Sequence, residues 1–512
     1  MGKTSIFILA TILVYLVGMI VVGAVYSKKG ADDAGDFYLG GRKLGPFVAA
    51  MSAEASDMSS WLLMGLPGVA YFTGIADAAW TAVGLAVGTY LNWLLVAKRI
   101  RRYSVVAGNS ITVPEFFSRR YHDDKNILMC ISAVIILIFF IPYTASGFAA
   151  VGKLFNSLFG WDYMSAVIIG AIVIVGYTVM GGFMAVSTTD LIQSIVMTIA
   201  LGAILVFGIH TAGGWGEVCD NANQIAGYIS LTETTNILTR EVTSYSGFAI
   251  LSTFAWGLGY FGMPHILLRF MAIGDEDKIK TSRRIACIWV VISMAVAVVI
   301  GIVGYALSVN GSIMTFESSA QAESIIVRIS ALLSTYGVGT AIIAGIVLAG
   351  ILASTMSTAD SQLLAVSSSV SENLLKDVFH INLDGKKTLR VARGTVIIVA
   401  CIAVFLARNP ESSVFNIVSF AWAGFGAAFG PVVLLSLYWK RSNKWGALAG
   451  MLTGGVMVFV WKYLVRPLGG IWDVYELLPA FTLACIAIVI VSLLTKAPEQ
   501  SIIDEYEEVA SM

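Results

Sequence analysis

Several residues of this chain could do chemistry in places where their surroundings oppose it. They are carboxylates and hydroxyls inside long apolar runs, beside glycines and prolines that interrupt helices. One such run reads Met51-Ser-Ala-Glu-Ala-Ser-Asp-Met-Ser-Ser-Trp61 and continues as Leu62-Leu-Met-Gly-Leu-Pro-Gly68. Five of the seven residues from Glu54 to Ser60 are polar: Glu54, Ser56, Asp57, Ser59 and Ser60. A charge such as Asp57 at mid-depth in a bilayer costs about 2.5–3.5 kcal/mol on insertion scales, so it needs a purpose. Small polar residues also act as helix–helix glue, but this density exceeds what glue requires.

A second run, Trp256-Gly-Leu-Gly-Tyr-Phe-Gly-Met-Pro-His265, holds three glycines and a proline in ten residues. That composition breaks most helices in water. In lipid a break survives where it lines a cavity. Trp256 and Tyr260 are four apart, so α-helical winding would turn both to one side as an aromatic wall for a small apolar ring. An ordinary packed aromatic pair has the same spacing. A third run, Ser354-Thr-Met-Ser-Thr-Ala-Asp-Ser-Gln-Leu363, puts the hydroxyls of Ser354, Ser357 and Thr358 on one helical face. Neutral oxygens of this kind suit sodium better than zinc or calcium. The alternative is a stripe that back-bonds to its own carbonyls. Asp190 and Asp360 are either further ion contacts or helix-end charges in water.

Together these features point to a carrier. Breaking a helix midway across a bilayer frees carbonyls for a cation and N–H groups for a carboxylate. His122, His210, His265 and His380 are scattered, with none of the facing pairs a membrane haem or metal oxidase needs. A passive channel would line an open pore with rings of carbonyls or charges, whereas the polar residues here are concentrated centrally. A membrane-embedded solute sensor would need a soluble output domain, which the short C-terminal tail does not offer.

The elements that must position these residues follow from composition. Of 512 residues, 57% are hydrophobic and 12% charged, with formal net charge zero, and the mean hydropathy is +0.83. Nothing here points to nucleic acid, and no obligate protein partner is evident. Apolar runs near the roughly 20 residues that cross a bilayer follow one another with short polar breaks. We read an all-α integral membrane protein with about 13 transmembrane helices. The predicted spans are 5–26, 45–70, 74–97, 127–151, 161–180, 186–210, 246–273, 285–308, 338–368, 391–407, 413–438, 445–466 and 474–495. The first is too long for a signal-peptide core. Residues 313–336 read as an amphipathic surface helix outside the bilayer. With the N-terminus outside, 24 Lys and Arg residues fall in inner segments and six in outer ones. That bias predicts an N-terminus outside and a cytoplasmic C-terminus, and the expected location is the plasma membrane. Residues 1–497 form one transporter domain, and the acidic tail 498–512 reads as a solvated, partly disordered end.

At these segments the chain resembles the sodium:solute symporter family, and within it the branch that carries proline. The resemblance spans nearly the whole length. It rests on Leu39-Gly-Gly-Arg-Lys-Leu-Gly-Pro46, Ala55-Ser-Asp-Met-Ser59, Tyr177-Thr-Val-Met-Gly-Gly-Phe183, the Trp256–His265 run, Met356-Ser-Thr358 and Ala421-Trp-Ala-Gly-Phe-Gly-Ala-Ala-Phe-Gly-Pro431. It implies a leucine-transporter-like fold with two inverted five-helix repeats, roughly 45–210 and 246–438. It implies a sodium ion held by carbonyls of Ala55, Met58 and Ser354 and side chains of Ser357 and Thr358. It places the solute against Ser59, Tyr143, Trp256, Tyr260 and Pro264, and assigns coupling or gating to Arg42, Asp57 and Asp190. Ser60 stands where the proline branch carries glycine, so it joins the pocket as a specificity position. The implied activity is sodium-driven import of L-proline without covalent chemistry. Another amino acid, pantothenate or sialic acid is the alternative cargo.

Overall fold

The structure is a computed structural model that describes residues 3–29, 34–381 and 385–511. Met1, Gly2 and Met512, at the ends of the predicted domain and tail, lie outside the described residues. The described residues are mostly helical and include one small antiparallel hairpin, Glu233–Thr235 with Val242–Ser244.

The principal helices are α1 (Lys3–Lys29), α2 (Pro46–Ser60), α3 (Leu66–Thr73), α4 (Ile75–Leu91), α5 (Ile127–Phe159), α6 (Tyr163–Thr211), α7 (Gly247–Phe254), α8 (Pro264–Ala272), α9 (Ile279–Val309), α10 (Ile325–Leu333), α11 (Val338–Ser368), α12 (Gly385–Leu406), α13 (Val414–Tyr438), α14 (Lys444–Val460), α15 (Leu477–Leu494) and α16 (Gln500–Ser511). Among the described residues, ten continuous helices are long and apolar enough to cross a membrane. They correspond to ten of the predicted spans. The remaining three take other forms. Residues 45–70 break between α2 and α3, 246–273 break between α7 and α8, and 161–180 contain a shorter apolar helix, Tyr163–Val179. α6 covers two predicted spans without a loop, turning at Gly182 (φ 62°). That left-handed backbone suits glycine.

α11 is the pillar of the molecule. It is buried at every residue from Val347 to Ser368 and packs against α1, α2, α5 and α6. α13 lies on the far side of α5, against the segment that joins α7 to α8, and is backed by α14 and α15.

Two peripheral regions differ from the sequence reading. Residues 313–336 do form short helices, but Ile325, Ile326 and Ile329 of α10 are buried against neighbouring helices rather than lying on a surface. Glu323, just before α10, is buried and accepts from Lys153 Nζ at 2.6 Å. Its carboxylate also caps α13, accepting from Ser413 Oγ (2.8 Å), Val414 N (3.1 Å) and Phe415 N (3.0 Å). The unpaired amides at a helix start favour a negative partner of this kind. The tail is the second difference. It folds into α16, buries Ile502 and Val509, and pairs Glu505 with His122 at 2.9 Å and Glu507 with Lys440 at 3.3 Å. Its acidic residues meet basic residues of two loops, and its apolar residues share one face, so it docks rather than dissolving.

Candidate functional site

The first break falls at a single residue. Ser59 has φ 48° and ψ −171°, a conformation that costs a non-glycine residue about 1–3 kcal/mol. Its own hydroxyl offsets part of that by accepting from the Trp61 N–H at 3.1 Å. That N–H also turns back on the Met58 carbonyl. Just before the break, the Ala55 carbonyl accepts from Ser357 Oγ at 2.7 Å, which joins α2 to α11 directly. The Asp57 carbonyl accepts from Tyr143 OH at 3.2 Å. The Asp57 carboxylate accepts from Tyr260 OH through Oδ2 at 2.6 Å, while Oδ1 is buried with no partner. The hydroxyl of Ser60 is also buried and unpartnered.

The second break is drawn out. Residues Ala255–Gly262 wind as a 3₁₀-helix, and the chain straightens only at Met263 (φ −75°, ψ 110°), before Pro264 opens α8. The three glycines serve close approach more than flexibility. A Cβ on Gly259 would sit 1.9 Å from Trp422 Nε1, and one on Gly262 would sit 2.2 Å from the Phe425 carbonyl oxygen. The expected common face of Trp256 and Tyr260 is therefore lost. At three residues per turn, positions four apart diverge by about a third of a turn. Trp256 stacks on Tyr475 (centroids 5.1 Å apart) and lies 5.6 Å from Trp61. Tyr260 meets Trp422 edge-on and sends its hydroxyl to Asp57.

Between the two breaks lies a narrow cavity of about 10 Å³ lined by Asp57, Met58, Trp61, Leu85, Tyr143, Trp256, Val418 and Trp422. Of the predicted solute contacts, Tyr143 and Trp256 line it. Tyr260 reaches it through its bond to Asp57. Ser59, Ser60 and Pro264 do not line it. Asp57 faces this cavity, and its recorded partners do not include Ser357 or Thr358. Sequence reasoning left Trp61 and Trp422 unassigned, although both lie in the motifs quoted above. Leu85 and Val418 carry no chemical signal at all.

On α11 the hydroxyl face does two jobs. Ser354 Oγ turns back to the Ile351 carbonyl (2.8 Å), and Thr358 Oγ1 points to the Ser354 carbonyl (3.2 Å). Of the three, only Ser357 crosses to α2. The carbonyls of Ala55 and Ser354 and the hydroxyls of Ser357 and Thr358 thus share one hydrogen-bonded cluster. The Met58 carbonyl stands apart from it in its own turn.

Asp190 and Asp360 are not helix-end charges in water, since both are fully buried. Asp190 Oδ2 accepts from Ser52 Oγ at 2.6 Å and pairs with Arg269 at 3.0 Å. Asp360 Oδ2 accepts from Tyr177 OH at 2.9 Å. Arg42 ends the short turn Gly40–Arg42 that precedes α2. Its guanidinium donates to Asn109 Oδ1, Ser104 Oγ, the Ser110 carbonyl and, at 2.7 Å, the Met271 carbonyl. It ties the loop after Ala97–Val106 to the end of α8.

Residues 37–454 match the sequence profile of the sodium:solute symporter family. The sodium/proline symporter of Escherichia coli (strain K12) is 42% identical over 500 residues, covering 98% of this chain and 95% of that protein. The osmoregulated proline transporter OpuE of Bacillus subtilis (strain 168) is 40% identical over 497 residues, covering 97% and 96%. Among solved structures, a Na+-coupled sialic acid symporter in a substrate-bound outward-open state superposes with a TM-score of 0.78 at 18% identity, over 96% of this chain and 99% of that one. MhsT in complex with L-phenylalanine gives 0.54 at 13% identity, over 88% and 98%. The fold is leucine-transporter-like.

Proposed function

The chain belongs to the sodium:solute symporter family, and from that premise we propose that it imports L-proline with sodium by alternating access. It is a multi-pass membrane transporter and not an enzyme. The observation that carries the reading is the 2.7 Å bond from Ser357 Oγ to the Ala55 carbonyl, beside the left-handed break at Ser59. Two oxygens from different helices already meet there, and a sodium ion placed among Ala55, Ser354, Ser357 and Thr358 would take the place of that bond. Met58 completes the set once its carbonyl turns from Trp61. Sodium so held fixes the end of α2 and shapes the cavity for its passenger.

Proline then lies with its ring against Trp256 and Tyr143, with Tyr260 holding Asp57 at the edge. Its carboxylate faces the N–H groups freed near Ser59 and Ser60. Pro264 sets the start of α8 rather than touching the solute. Residues 45–210 and 246–438 act as the two inverted halves, and Arg42 closes the inner end between them. The N-terminus lies outside the plasma membrane and the C-terminus in the cytoplasm, as the basic loops require. One charge crossing about 100 mV supplies roughly 2.3 kcal/mol, to which the sodium gradient adds.

Purified protein in liposomes tests this. Labelled proline should accumulate only with an inward sodium gradient, and other amino acids, pantothenate and sialic acid should compete weakly. Uptake that follows a proton gradient and ignores sodium overturns the coupling. Preference for another member of the panel overturns the choice of cargo.

A further inference from the structure

Arg269 reads in the sequence as a charge at the end of a span, yet its side chain is 1% exposed. It stands on α8, below the second break. Nη2 lies 3.0 Å from Asp190 Oδ2 on α6 and 2.6 Å from Ser361 Oγ on α11. Nε lies 3.1 Å from Ser52 Oγ on α2, and Nη1 donates to the His265 carbonyl at 3.0 Å. The Phe183 ring covers it, 5.2 Å from the guanidinium carbon. One side chain therefore touches both broken helices and both helices that frame them.

The contact with Ser361 leads further. Ser361 Oγ donates to the Ser357 carbonyl at 2.9 Å, one turn back on α11, and Ser357 Oγ in turn reaches the Ala55 carbonyl. Ser52 lies three residues before Ala55, so the same guanidinium also braces α2 just ahead of that carbonyl. A buried carboxylate in lipid needs a counter-charge, and any point cation beside Asp190 would supply one. The planar fork of arginine additionally fixes directions toward several acceptors at once.

We propose that Arg269 is a positioning residue of the sodium site: it neutralises Asp190 and, through Ser52 and Ser361, holds the Ala55 carbonyl and the Ser357 hydroxyl in register across α2 and α11. The proposal rests on the sodium-coupled reading above. Arg269 touches neither ion nor solute, so its removal acts on sodium affinity and leaves the solute cavity in place.

The test is sodium-dependent proline uptake in liposomes by Arg269→Lys and, separately, Ser361→Ala. The first keeps the charge without the fork, and the second cuts the relay without touching the ion pair. Arg269→Lys should raise the half-saturating sodium concentration about tenfold or more, and Ser361→Ala about fivefold, the range a lost buried hydrogen bond gives. The proline KM measured at saturating sodium should stay within about twofold. If Arg269→Lys does not reach the membrane, Ser361→Ala decides alone. Unaltered sodium half-saturation in Ser361→Ala, or sodium and proline constants that rise together, overturns the proposal. Uptake by the unsubstituted protein that ignores sodium overturns the transport reading instead.

Discussion

The two helix breaks solve different problems. At Ser59 the chain departs from the helix at one residue and accepts a strained dihedral. Just before that point carbonyl oxygens face other helices, Ala55 toward Ser357 and Asp57 toward Tyr143. Between α7 and α8 the winding tightens over eight residues, and glycines let the backbone sink against α13. The first break exposes polar atoms, and the second creates shape. On the proposed reading, sodium and solute are recognised by separate halves of one site, one by oxygen chemistry and one by aromatic surface.

Substitutions that act on one break and spare the other sharpen this contrast. Ser357→Ala removes one of the oxygens proposed to hold sodium, and since a polar contact to a charged group contributes about 1.5–3 kcal/mol, half-saturating sodium should rise about 10- to 150-fold. The proline KM at saturating sodium should move far less. Equal movement of both constants would erase the distinction. Gly259→Ala forces Trp422 aside, and overpacking of this kind costs about 1–3 kcal/mol. A lowered thermal midpoint in detergent and a raised proline KM should accompany near-normal sodium half-saturation. A wild-type midpoint would show that the second break tolerates bulk after all. Trp256→Phe keeps an aromatic face but gives up area against Tyr475, and should raise the proline KM about three- to tenfold, an effect of order 1 kcal/mol. The smallest effect belongs to Ser59→Gly. Relief of the left-handed φ opposes loss of the Trp61 contact, so the midpoint should shift by no more than about 1 kcal/mol equivalent.

Much of this site was legible in the sequence, because lipid makes polar atoms conspicuous. Glu54 to Ser60 and the glycines from Gly257 to Gly262 mark both breaks without further information. The hydroxyl triplet on α11 announced its shared face, although only Ser357 crosses to α2. What stayed hidden depended on winding and on partners distant in sequence. No residue pattern separates a 3₁₀ turn from an α-helical one, so Trp256 and Tyr260 were placed on a common face. Arg269 falls near the end of the predicted span 246–273, and hydropathy counts only neighbours along the chain, whereas its partners Ser52, Asp190 and Ser361 come from three other helices. The tail and residues 313–336 show the same limitation. Their charges looked solvated until Lys153, His122 and Lys440 were brought to them by the fold.

The cap that Glu323 places on α13 carries an implication for biogenesis. Its cationic partner precedes it by 170 residues, and the amides it satisfies follow some ninety residues later. Because a chain emerges from the ribosome N-terminus first, the bond to Lys153 becomes available while α13 is still unsynthesised. The carboxylate then waits, already neutralised, as a template on which the beginning of α13 can seat. A nascent chain halted before Ser413 should accordingly hold the Lys153 contact, and release of the remainder should complete the cap without rearranging it.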